Sequence, residues 1–105
     1  MVWDQLEDLL SDAGVGVRTY NQFANVCMDQ ARSNPNNALS YFLLGVVAER
    51  FADAYYEYPL SITISEKRRI SLKTWVQNFS EISKSQSNDK YVLTNSFVSQ
   101  ELSDW

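Results

Sequence analysis

The chain has 105 residues, a net charge of −4, no histidine and a single cysteine, Cys27. Without histidine, the usual general base and most transition-metal sites are excluded. With no glycine-rich phosphate loop and no second cysteine for a disulfide, the composition predicts a non-enzyme with no cofactor and no metal.

Nearly every stretch carries a helical period. Trp3, Leu6, Leu10 and Ala13 form one stripe, Asp4 with Glu7 resembles a capping box, and Gly14 suits a stop. A second helix, about residues 19–32, opens on a box-like Thr19 and Gln22. Tyr20, Phe23, Ala24, Cys27, Met28 and Ala31 share one of its faces. The third helix opens at Ser33-Asn34-Pro35, proline suiting a first turn, and runs to Tyr58 before Pro59. Its first half, Ala38 to Ala48, is apolar nearly all round, which predicts enclosure on every side. Its second half gains a polar stripe of Glu49, Arg50, Asp53 and Glu57.

Residues 59–64 alternate like a strand, with Leu60, Ile62 and Ile64 against Ser61 and Thr63. A lone short strand has no partner, so this stretch reads as an extended connection. A fourth helix starts near Ser65 with Ile70, Leu72, Trp75, Val76, Phe79 and Ile82 on its apolar face. After a polar linker, a fifth helix over about 89–102 is expected to turn Tyr91, Val92, Phe97, Val98 and Leu102 inward. The expected fold is all-α: one domain over residues 1–105, a compact bundle of four to five helices with a long central third helix. The longest apolar run, Tyr41 to Ala48, is eight residues, against the roughly 18 that suggest a membrane span. No basic start and apolar run of a signal peptide opens the chain, and the free thiol suits a reducing compartment, so a cytoplasmic location away from membranes is expected.

Asn34-Pro35-Asn36-Asn37-Ala38, then Tyr41, Leu44 and Gly45, resembles the opening helix of a tetratricopeptide repeat. In that family the Leu-Gly pair lets the following helix pack closely. The resemblance ends after about 12 residues. The family's later small, aromatic, small and proline positions fall here on Glu57, Ser61, Ile64 and Arg69, and Pro59 interrupts the required second helix. No family assignment follows.

Gly45, Ala48 and Ala52 place small side chains along one side of the third helix, where another element can approach closely. A core crossing is the plain explanation; a second subunit or a ligand is the alternative. Tyr55, Tyr56 and Tyr58 exceed what one helix face can bury, and tyrosine suits an interface, so they form a candidate partner surface. Lys67, Arg68, Arg69 and Lys73 are the only basic concentration, with Trp75 nearby, and form a candidate anion or nucleic-acid contact. Against that stand the core-facing position of Trp75 and the acidic first half of the chain. Residues 1–58 carry eight acids and three bases, and residues 59–105 five acids and six bases. A solvated basic face, or pairing with the acidic first helix, is the plainer reading. Glu49, Asp53 and Glu57 recur at i, i+4 and i+8, but the Glu-x-x-His motif of bundle metal sites cannot occur. Cys27 on an apolar face reads as a buried, inert thiol.

The function expected from these features is a small non-catalytic protein–protein interaction module: an adaptor, a regulator or an antagonist of a larger protein. Its partner is another protein, and self-association is a further expectation because short helices enclose Ala38 to Ala48 incompletely. A nucleic-acid-associated regulator using the fourth helix is one alternative, with nucleic acid the less favoured partner. A small-ligand or pigment-binding bundle lined by aromatics is another.

Overall fold

The computed structural model describes residues 2–11, 16–57, 61–85 and 87–102; of residues 55–57, 87, 88, 101 and 102 it describes the backbone only. Among the described residues five α-helices follow one another: α1 (Val2–Leu9), α2 (Val17–Ser33), α3 (Ala38–Glu57), α4 (Ile62–Ile82) and α5 (Ser87–Leu102). A single 3₁₀ turn, Pro35–Asn37, joins α2 to α3. The all-α bundle expected from the periodicity is the observed fold.

α2 and α3 form the hairpin on which the rest is assembled. Tyr20, Phe23, Ala24 and Cys27 of α2 are buried against Tyr41, Leu44, Ala48, Phe51 and Ala52 of α3. The pairing runs antiparallel: Tyr20 meets Phe51 edge-on at 5.6 Å, while Cys27 and Met28 lie beside Gly45. Gly45 thus faces the preceding helix, whereas a tetratricopeptide repeat would turn it toward the following one.

α1 is amphipathic and buries Trp3 and Leu6, followed by Leu10 just past its end. Trp3 stacks on Tyr41 with ring centroids 4.5 Å apart and an interplanar angle of 16°. Burying each such side chain stabilises the fold by about 1.5–3 kcal/mol. α1 begins at Val2, so Asp4 lies inside its first turn, where its charge complements the dipole, and it is not the cap of a capping box. Gly14 and Ala13 lie outside the described residues. α2 likewise starts earlier than Thr19: Gly16 precedes it, without a side-chain cap, so the Thr19–Gln22 box is not used.

α4 corrects the extended reading of residues 61–64. Ser61 is its N-cap, its Oγ accepting a hydrogen bond from the Ile64 N–H at 3.2 Å, and Ile62, Thr63 and Ile64 are its first turn. A capped turn satisfies amide groups that a lone strand would leave open. Leu72, Trp75, Val76, Phe79 and Ile82 are its buried face, but Ile70 lies on the opposite side and is exposed.

α5 is anchored chiefly on α4. Phe97 completes a T-shaped trio, its centroid 5.2 Å from Trp75 and 5.3 Å from Phe79. At its other end Lys90 Nζ donates to Asn37 Oδ1 at 3.2 Å and to the Asn36 carbonyl at 3.5 Å. These anchors fix the inward face as Lys90, Thr94, Phe97 and Val98. Tyr91 and Val92, expected inside, are 68% and 65% exposed. The start of α5 lies against a polar turn, so a polar face is the one that fits there.

Candidate interaction surface on α3 and α5

The first half of α3 is not enclosed. Leu39 is 45% and Phe42 50% exposed. Leu43 and Val46, half-buried, continue the same stripe, which then becomes Glu49, Arg50 and Asp53, all exposed. The spacing is that of one helix face, so a single solvent-facing line runs along α3, apolar at its start and charged further on. The enclosure predicted for Ala38 to Ala48 fails here because α5 packs chiefly on α4 and meets the turn and the first residues of α3 across an open cleft. No described element lies over Leu39 and Phe42.

A cleft of about 190 Å³ opens where this stripe begins. Its floor and walls come from the Pro35–Asn37 turn, Leu39 and Ser40 on one side and Lys90, Tyr91 and Thr94 on the other. It is smaller than the roughly 300–1,000 Å³ pockets of drug-sized ligands. It extends the apolar stripe sideways onto Tyr91, so α3 and α5 present one continuous surface.

The side chains of Tyr55, Tyr56 and Tyr58 lie outside the described residues, although the backbone of Tyr55 and Tyr56 belongs to the last turn of α3. Gly45, Ala48 and Ala52 are all buried. At Gly45 the neighbour is α2: a Cβ placed there would lie 2.7 Å from Met28 Cε and 3.3 Å from Cys27 Cβ.

The basic cluster does not act as one group. The Arg69 side chain is only 15% exposed. It donates from Nη1 to the Leu10 carbonyl at 2.8 Å and from Nη2 to Glu66 Oε2 at 2.8 Å. The cation thus covers carbonyl oxygen at the end of α1, where a helix dipole is negative. Its hydrogen bond to Glu66, with a smaller contribution from its charge, holds that carboxyl below the usual range. Arg68 is half-buried with its guanidinium 5.5 Å from the centroid of Phe51. Of the four, Lys67 alone is exposed, Lys73 is half-buried, and the neighbouring Trp75 is in the core. Pairing with the end of the first helix therefore includes a backbone carbonyl, that of Leu10.

Cys27 is buried, and burial pushes its thiol up to about 12. Among the described residues no three Cys, Asp or Glu side chains gather to hold a metal, and no described helix is long and apolar enough to cross a membrane.

The α3 surface was missed because an all-apolar segment gives no direction by itself. A signal was nonetheless present. Stepping back from Asp53 through Glu49 and Arg50 by three or four residues reaches Val46, then Phe42 and Leu43, then Leu39. No protein-family model, no curated protein and no solved structure matches this chain.

Proposed function

We propose that this chain is a small non-catalytic protein–protein interaction module, an adaptor or regulator that docks a protein partner on the α3 stripe and the adjoining cleft. The exposed apolar run of Leu39, Phe42, Leu43 and Val46 carries the reading. Aliphatic and aromatic side chains aligned on a rigid helix, bordered by charge, form the apolar centre and polar rim of a protein interface. Glu49, Arg50 and Asp53 supply the rim at one end and Lys90 at the other. The non-catalytic part rests on the residue chemistry: no histidine, and a single thiol that is buried and held protonated. A cytoplasmic setting accompanies it, since Cys27 is free.

The test is affinity capture of the tagged protein from its native extract, with and without nuclease. Leu39→Glu/Phe42→Glu runs beside Lys67→Glu/Lys73→Glu, each first checked for an unchanged melting curve. The expected result is a stoichiometric protein that survives nuclease and is lost only with the α3 pair. Recovery unaffected by the α3 pair, nuclease-sensitive recovery lost with the charge reversal, or recovery of this chain alone would each overturn the reading.

A further inference from the structure

Resting on that reading, we infer that the cleft between the start of α3 and α5 receives a carboxylate of the partner, presented beside an apolar side chain that lies along Leu39 and Phe42. Four observations converge on this chemistry. In a chain of net charge −4, the only charged residue among the described ones lining the cleft is a cation, Lys90. Its ammonium has three donors, and Asn37 Oδ1 and the Asn36 carbonyl engage two of them, which leaves one for a ligand.

The cleft also sits at the start of α3, the positive end of a 20-residue helix. Two hydroxyl residues line it, Ser40 at 6% and Thr94 at 4% exposure. Neither side chain hydrogen-bonds to another described residue. Neither oxygen is among the sealed, unsatisfied polar atoms, so both hydroxyls are open to an acceptor that enters the cleft. One lysine, two hydroxyls and a helix start suit phosphate as well as carboxylate, but the apolar walls beside them favour an anion carried next to an apolar side chain. At about 190 Å³ the space fits a short acidic side chain, while Leu39 and Tyr91 form apolar walls for its neighbour. The occupant is therefore an acidic–apolar segment of a protein.

The probes are acetyl-Phe-Glu-Leu-Glu-amide, its isosteric acetyl-Phe-Gln-Leu-Gln-amide, and inorganic phosphate, each titrated to about 5 mM, where millimolar affinities register. The readout is the backbone amide spectrum of isotope-labelled protein. The acidic peptide should move the amides of residues 36–40 and 90–94. The glutamine peptide should bind about tenfold more weakly, the factor expected for losing a charged hydrogen bond. Lys90→Gln should abolish the difference between the peptides, and Lys84→Gln, in the exposed turn just past α4, should leave it intact. Equal shifts from both peptides would overturn the carboxylate site while sparing the apolar docking surface. Phosphate matching the acidic peptide would overturn the acidic–apolar assignment, and no shift from either peptide would overturn the site itself. The capture experiment remains an independent judge of the interaction reading.

Discussion

Replacing Gly45 tests how closely α2 and α3 cross. A Cβ at this position would meet Met28 Cε at 2.7 Å and Cys27 Cβ at 3.3 Å. These obstacles differ. Met28 Cε is the free end of a flexible, half-buried side chain and can swing aside, whereas Cys27 Cβ moves only with the α2 backbone. Removing a mid-helix glycine returns about 1 kcal/mol of helix propensity, and crowding a packed interior costs about 1–3 kcal/mol. Gly45→Ala should therefore fall within about 1 kcal/mol of the parent. Gly45→Leu gains no more propensity and forces three further carbons into the crossing, so a net loss of about 2 kcal/mol is expected. At about 4–8 °C per kcal/mol for a domain of this size, its melting temperature should fall by roughly 10 °C. Thermal and urea unfolding followed by circular dichroism measure both variants, together with Met28→Ala/Gly45→Leu. Because the two positions touch, the double variant should recover part of the loss. A Gly45→Leu protein that melts within about 2 °C of the parent would refute the close crossing.

Other consequences concern single groups. Arg69→Met removes the hydrogen bonds to the Leu10 carbonyl and to Glu66 and should cost about 2 kcal/mol in urea titrations; Arg69→Lys should recover little, because a lysine cannot fork between them. Glu66 is held below its usual range by Arg69. Its contribution is thus complete above the unfolded-state value near pH 4.5 and is lost as pH falls through the lower folded value. Melting temperature against pH should accordingly fall less steeply below pH 4.5 in Glu66→Gln, and identical profiles would contradict the pairing. With its thiol pushed up to about 12 and buried, Cys27 should resist iodoacetamide at pH 8 and react fully once urea unfolds the chain; rapid native labelling would show the α2–α3 seam to be open.

The hairpin of α2 and α3 was legible because its buried face repeats at a helical period and its joint carries proline between asparagines. The start of α4 was not, since Leu60, Ile62 and Ile64 alternate as in a strand, and the deciding group was the Ser61 hydroxyl. Residues in α5 misled for a different reason. Apolarity marks the inward face only where the opposing surface is apolar, and Lys90 and Thr94 lie toward the polar Asn36-Asn37 turn instead of a core. That same local polarity leaves Leu39 and Phe42 uncovered, so the misread helix and the missed surface share one origin. Nothing in local spacing showed that Arg69 would reach a carbonyl 59 positions away.

The clasp between Arg69 and the end of α1 bears on how the chain reaches its native state. α1 is eight residues long, too short to persist alone in water, and its contacts with α4 join segments far apart in sequence. The α2–α3 hairpin, whose contacts are local, can consolidate early; α1 can then dock Trp3 on Tyr41, and the Arg69 clasp closes when α4 joins. The burial of Leu6 and Leu10 is thus completed late in folding, when α4 joins the helices that came before it.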